Sequence, residues 1–532
     1  MSRTRLLAAL GVLVGLGAGL TFEIMRGPTR AATRARARLE KTRDLWTAAM
    51  LAPVNRASSY AVVAVSGGAR WVEILTSAGV PVPVLVAEPS VDATGFRLVV
   101  TADRAQADTL AGQGRAVVLF DEEGAGLEES AIRWKDLRLP LDGITAHRLD
   151  DVKDESAWLR SEQGETVAAW HKAGSGIVLR LGFDFAAWLY RLRQGNPARA
   201  GQDSDHNGTV QPVDLLPALA PELFARPFAD EMVDDLLATL DAGLTCPLPR
   251  TAGLPEGRPT VVLTSDQDYV DDEFVLYMAE ALAKNHFAAT FMLTHRGLGA
   301  PPDLNVGAGK PTVVAPDTVT ELLAAGHGLG VHPSLRTVDD IGRVTEAAAQ
   351  FTATRPLVAR NHWVRWPGYL DVPTAEARAG ILMDLNLLPV CRDVGPCAGF
   401  LGGTARPVRF VDEAGVALPI LQQPSSFDDA SLRTKSPIEA KAAAAILGER
   451  IAQLLPRATA VQAALVINAH PVFFPVASDW IKPLVGGNVQ VISAEQWLDF
   501  LARRRLSRIE SPSCAADPSL DLQSGIVLRS PG

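Results

Sequence analysis

Val261-Val-Leu-Thr-Ser-Asp-Gln-Asp-Tyr-Val-Asp-Asp272 is the stretch on which the fold turns. A run of apolar and β-branched residues that stops at Asp266 and Asp268 reads as a buried strand carrying two carboxylates to its C-terminal end. In α/β barrels and open α/β sheets that end is where the chemistry sits. Side chains two apart on a strand share a face, so the spacing predicts that Asp266 and Asp268 lie together and repel unless a cation or a proton sits between them. Downstream, Gly326-His-Gly-Leu-Gly-Val-His-Pro-Ser334 supplies a partner, because a helical segment ends at Gly326 and a short strand then carries His332 out to Pro333. Carboxylate plus imidazole suits a divalent metal such as zinc, and a carboxylate left off the metal can serve as a base toward water.

The order of these residues resembles that of the polysaccharide deacetylase family of metal-dependent carbohydrate esterases. Thr264-Ser-Asp-Gln-Asp268 matches the family's opening Thr-x-Asp-x-Asp pattern, and Ala289-Thr-Phe-Met-Leu293 its next strand. Gly326-His-Gly-Leu-Gly-Val-His332, Arg365-Trp-Pro367 and Leu465-Val-Ile-Asn-Ala-His470 follow in the family's order, so the resemblance spans residues 259–505. It implies an incomplete (β/α) barrel, with Asp268 and His332 as metal ligands, Asp266 as general base, His470 as general acid, and an arginine, Arg360 or Arg365, fixing the base by a bidentate contact. One position departs from the pattern. Arg336 stands where the family has the second metal-binding histidine, and a guanidinium does not ligate metals. His362 is then the substitute third ligand, reaching in from the neighbouring strand end. Trp363 and Trp366 are candidates for a sugar-stacking wall, or else core residues. His327 reads as a packing or capping residue. The implied activity is removal of N- or O-acetyl groups from a polysaccharide or oligosaccharide; the alternative is a degenerate esterase that binds or scaffolds glycans without catalysis.

A chain of 532 residues exceeds one ordinary core, so two or three domains are expected. Its 47% hydrophobic and 21% charged content is that of a globular protein, and the net charge of −9 argues against a nucleic-acid partner. Four cysteines, Cys246, Cys391, Cys397 and Cys514, are too scattered for a disulfide framework or a zinc finger; Cys391 and Cys397 either close a small loop or stay as thiols. Leu6 to Phe22 is an apolar run behind a basic start, a signal peptide or membrane anchor within residues 1–25. It points to an exported or membrane-anchored, extracytoplasmic protein, although the basic flank from Arg26 to Arg43 opposes translocation by the positive-inside rule. Residues 26–55 read as a basic helical stalk.

Between residues 56 and 240, short apolar strands alternate with helical stretches, which predicts a smaller α/β domain with a mainly parallel sheet. Its closing strand, Gly174-Ser-Gly-Ile-Val-Leu-Arg-Leu-Gly-Phe-Asp184, resembles that of class I glutamine amidotransferase-like domains. No cysteine nucleophile precedes Cys246, so a scaffold or binding role is implied. The loop 203–214 carries oxygen donors Asp203, Asp205, Asn207, Gln211 and Asp214 at positions 1, 3, 5, 9 and 12, the Thr209 carbonyl at 7 and Gly208 at 6, the pattern of a calcium loop. The bland reading of the same loop is an acidic turn. From residue 250 to 506 strands and helices alternate again, with the Gly-rich segment Gly399 to Pro407 read as a substrate-side loop. Residues 507–532 form a Ser/Pro-containing tail.

Overall fold

The helix over residues 30–50 sets its apolar positions at helical spacing, and Ala32, Leu39 and Trp46 are buried against the C-terminal core. In this computed structural model the described residues are 30–50, 61–63, 68–80, 84–85, 97–121, 124–128, 130–152, 156–244, 247–248, 250–268, 270–294, 314–389, 397–432 and 436–507. The apolar run 6–22, the Cys391 partner of Cys397, Cys246, Cys514 and the tail after residue 507 fall outside them. Among the described residues no helix is long and apolar enough to cross a membrane. The basic helix is docked rather than a free stalk. Arg36 Nε donates to the Thr352 carbonyl at 3.1 Å, Arg43 Nη2 to that of Arg355 at 2.8 Å and the Trp46 indole to that of Pro419 at 3.3 Å.

The first sheet runs in the order Val84–Leu85, Ala61–Val63, Leu98–Thr101, Ala116–Phe120, Gly176–Leu181, Thr166–Ala173, Ala157–Ser161, Ala131–Trp134, Leu137–Pro140. Its first five strands are parallel, as the βα alternation predicts, and the sheet then continues through antiparallel hairpins. The domain is therefore a mixed α/β sheet, the extra strands pairing across short turns that parallel strands cannot use.

The second sheet is ordered Cys397–Ala398, Phe427–Asp428, Leu465–Ala469, Thr260–Asp266, Thr290–Leu293, Gly328–Val331, Val358–Ala359, Met383–Asp384, Ala417–Gln422, Val408–Val411, with Gln490–Ile492 also pairing to the start of Thr260–Asp266. From Phe427–Asp428 to Ala417–Gln422 every pairing is parallel. Those two outer strands are nearly consecutive in the chain. A flat sheet would hold them about 34 Å apart at ~4.8 Å per strand, whereas the connecting residues reach at most about 17 Å. The sheet must curl, and because the two strands do not pair it curls without closing. That is the incomplete (β/α) barrel, and it brings the C-terminal ends of its strands around one mouth.

Buried polar ties lock the two domains together. Asp230, fully buried, accepts from Arg193 Nη2 and from the backbone amides of Ala405 and Arg406 at 2.7 and 3.0 Å. The Gly399–Pro407 segment is thus packed between domains and is not a substrate-side loop. A Cβ on Gly402, whose φ is +58°, would lie 1.8 Å from the Leu192 carbonyl oxygen, which is why glycine is needed there.

Glu73, from the first domain, sits at 0% exposure between Arg409 and Arg505 of the second, with contacts of 2.7 and 2.6 Å. Burial pushes its carboxyl up, but Arg505 and Arg409 outweigh that and hold it down at about 2 instead of 4.5. A depressed carboxyl stabilises the fold fully above its unfolded pKa, and that stabilisation is lost as pH falls from about 4.5 to about 2. Glu73→Gln is expected to cost about 3 kcal/mol at pH 7 and to flatten the acid dependence of unfolding in that window. Denaturant melts at pH 7 and pH 3 check this, and an unchanged pH dependence would count against it.

Candidate metal centre and active site

Strand Thr260–Asp266 ends at Asp266, and the chain then turns: Gln267 is buried and accepts from the Thr294 amide and hydroxyl, both at 3.0 Å, while Asp268 takes a left-handed φ of +49°. Strand alternation therefore does not place the two carboxylates, contrary to the expectation from spacing. The turn does, using aspartate's tolerance for the left-handed region. Both carboxylates still meet His332. Its Nε2 lies 3.2 Å from Asp268 Oδ1, and its Nδ1 lies 3.9 Å from Asp266 Oδ1 and 2.8 Å from the Arg360 carbonyl. Since a carbonyl only accepts, Nδ1–H donates to it, and Nε2 faces a carboxylate oxygen across a gap that calls for a proton or a cation.

His362 enters on a short 3₁₀ turn after strand Val358–Ala359, its amide bonded to the Pro333 carbonyl at 2.9 Å as a continuation of the strand pairing. Its Nε2 is 3.6 Å from Asp268 Oδ1, and its Nδ1 shares a 3.2 Å hydrogen bond with Ser334 Oγ. The ligand atoms of Asp268, His332 and His362 all lie within 4.8 Å of one another, and the two histidines are buried. Tetrahedral zinc with bonds of ~2.0–2.1 Å separates its ligand atoms by about 3.3 Å, and the observed 3.2 and 3.6 Å edges fit that figure. Arg336 is exposed, its amide donates to Asp340 Oδ2 at 2.8 Å, and its guanidinium has no lone pair to offer a metal.

Asp266 is buried and pinned on both oxygens, Oδ1 by Arg360 Nη1 at 3.0 Å and Oδ2 by Asn468 Nδ2 at 2.9 Å. Burial pushes its carboxyl up, and Arg360 with the nearby imidazoles more than reverses this, so it stays ionised. Of the two arginines that competed for this contact, Arg360 makes it, through Nη1 alone rather than a bidentate fork, because Nε serves the Leu385 carbonyl and Nη2 serves Ser425 Oγ. Arg365 is directed to the Leu335 carbonyl at 3.1 Å and has no contact with Asp266.

His470, after strand Leu465–Ala469, places Nε2 3.5 Å from Asp268 Oδ2. Its Nδ1 meets Asp429 Oδ1 at 2.5 Å, and its amide donates to the same carboxylate. Burial alone would favour the neutral ring; Asp429, Asp268 and Asp428 prevail and raise it to about 10, so His470 is an imidazolium at neutral pH. Asp428 is itself pushed up to about 6, by burial first and by Asp429 and Asp266 beside it. Asp429 and Asn468 have no place in the sequence-derived set. The available signal was Phe427-Asp-Asp429, a second pair of carboxylates just past an apolar strand.

The remaining expected residues divide. Trp363 is 43% exposed at the rim, 6.0 Å from the His362 ring, in a backbone turn where both it and Val364 have positive φ. Trp366 is 2% exposed, stacked on Phe410 and bonded to the Tyr369 carbonyl, so it is a core residue and not part of a sugar wall. Trp366→Ala is expected to destabilise the protein by about 3–5 kcal/mol, whereas Trp363→Ala leaves stability near wild type; thermal unfolding of the two variants separates them. His327 packs, its ring nitrogens bonded to the Ala289 amide and the Ala279 carbonyl. In the loop 203–214, Asp203, Asp205 and Asp214 bring oxygens within 4.8 Å of one another, but they accept from the loop's own groups: Asn207 and Gly208 amides, Asn207 Nδ2, and the Ser204 and Gln211 amides. The Asn207 side-chain oxygen accepts from the Thr209 amide.

Over part of the chain, the fold is similar to solved structures of the carbohydrate esterase family 4. A family 4 carbohydrate esterase from Streptomyces lividans, in complex with acetate, matches at 14% identity and TM-score 0.26, over 50% of this chain and 95% of that one. A family 4 pseudoenzyme from Bacillus anthracis matches at 13% identity and TM-score 0.28, over 45% of this chain and 66% of that one. The carbohydrate deacetylase Agd3 matches at 9% identity and TM-score 0.32, over 84% of this chain and 87% of that one. No protein-family model matches the chain, and no curated protein matches it. The amidotransferase-like reading of the first domain and calcium at the 203–214 loop gain no support from these likenesses.

Proposed function

We propose that the second domain is a metal-dependent hydrolase that removes N- or O-acetyl groups from a polysaccharide or oligosaccharide, in an exported or membrane-anchored protein. What supports this is the convergence, at adjoining strand ends, of a buried Asp268–His332–His362 triad with the Asp266 carboxyl and the His470 ring. The triad would hold a divalent ion, zinc by its donor set, which when bound polarises a carbonyl oxygen and acidifies a water. Asp266, fixed by Arg360 and Asn468 with lone pairs to spare, accepts the proton of the attacking water. His470, held cationic by Asp429, keeps a proton for the departing amine or alcohol. Its Nε2 faces Asp268, so that proton is stored on the metal side of the mouth. Trp363 offers an exposed indole plate at the rim to a sugar ring.

The noncatalytic alternative draws on Arg336 standing in place of a histidine; His362 brings the third ligand from the next strand, and that ground weakens. Acetate release from a panel of N- and O-acetylated oligosaccharides, before and after chelation and after zinc is restored, tests the reading. Zinc-loaded protein that releases no acetate from any of them would defeat it.

A further inference from the structure

We infer that Gln211, from the loop 203–214, is a positioning residue for the metal centre: it fixes the turn that presents His362. This rests on the reading of Asp268, His332 and His362 as a metal site. Gln211 is 1% exposed, and its Nε2 donates to the Trp363 carbonyl at 2.8 Å, one residue beyond the ligand. Its Oε1 accepts from Asn207 Nδ2 at 3.0 Å, which sets the amide so that nitrogen, not oxygen, faces that carbonyl. Asn207 Nδ2 is in turn held by Asp205 Oδ2 at 2.7 Å, and the Gln211 amide by Asp214 Oδ2 at 2.8 Å. A second bond runs parallel to the first, from the Trp366 amide to the Val210 carbonyl at 2.8 Å.

The turn needs such support. Trp363 and Val364 have φ of +61° and +44°, and a β-branched residue in the left-handed region persists only where its surroundings over-determine it. Upstream the turn is held by the His362 amide on the Pro333 carbonyl; downstream, Gln211 and Val210 hold it from another part of the chain. The Gln211 bond is the tie closest to the ligand on that side, and a ligand whose neighbouring carbonyl is no longer held loses part of the fixed orientation that tight coordination requires.

The test is competition of full-length, metal-free protein against a chelating zinc indicator, alongside urea unfolding without metal. Gln211→Ala and Gln211→Met, neither of which can donate to the Trp363 carbonyl, are expected to bind zinc about 10- to 100-fold more weakly with unfolding midpoints near wild type. Wild-type affinity in both variants would overturn the inference, as would a loss matched by an equal loss of metal-free stability. Asp268→Ala distinguishes the two levels. If that variant also binds zinc like wild type, or if wild type binds none, the metal-centre reading itself fails and the role of Gln211 fails with it.

Discussion

Asp268→Ala protein is expected to come out of purification without its divalent ion and without acetate release. Among the described residues, Asp268 is the carboxylate that faces all three imidazoles: Oδ1 lies 3.2 and 3.6 Å from the Nε2 atoms of His332 and His362, and Oδ2 lies 3.5 Å from that of His470. Removing it deletes the only anionic ligand of the triad and leaves neutral donors that hold a divalent cation poorly. Lewis-acid stabilisation is worth several kcal/mol, so kcat/KM should fall by at least about 10³-fold. The backbone complicates this variant, because alanine tolerates the φ of +49° less well than aspartate. Asp268→Asn keeps the conformational preference and removes the charge. It is expected to fold as wild type while binding metal weakly, and elemental analysis with circular dichroism checks both parts.

His470→Gln and Asp429→Asn form the second large prediction, and they separate acid catalysis from metal binding. Loss of a positioned general acid costs about 10²–10⁴-fold in kcat, so His470→Gln should fall in that range with zinc content unchanged. Asp429 holds the His470 ring through Nδ1 and its main chain through the amide. Asp429→Asn removes the charge that keeps the ring protonated, and is expected to lower kcat by at least about 10²-fold while leaving KM near wild type. Metal loss in either variant would mean that His470 serves as a ligand instead of an acid.

The parts of this site that could be read from the sequence are those tied to strand ends. Asp266, His332 and His470 each follow an apolar run, so their positions at strand ends bring them to one mouth, and Asp268 joins them just past the end of its run. His362 was legible because it follows Leu357 to Arg360, the neighbouring run. What could not be read depends on tertiary contacts. Nothing in the sequence distinguishes Arg360, which turns inward to Asp266, from Arg365, which turns to a carbonyl, and nothing distinguishes the exposed Trp363 from the buried Trp366. The glycines of 399–407 signal close approach, but not whether a substrate or a second domain approaches; here it is the first domain, through the Phe224 and Leu192 backbones and the Phe228 ring. The left-handed turn at Asp268 was hidden because alternation and a turn put the carboxylates in one place by different routes. The antiparallel half of the first sheet escaped for a related reason, since short apolar strands look alike whichever way their neighbours run.

The central claim is that Asp268, His332 and His362 hold one metal ion. Anomalous diffraction from crystals of the zinc-loaded protein tests it most directly. The account predicts one strong peak about 2.0–2.2 Å from Asp268 Oδ1 and the two Nε2 atoms. A peak that leaves out His362, or no peak between these three side chains, would contradict it.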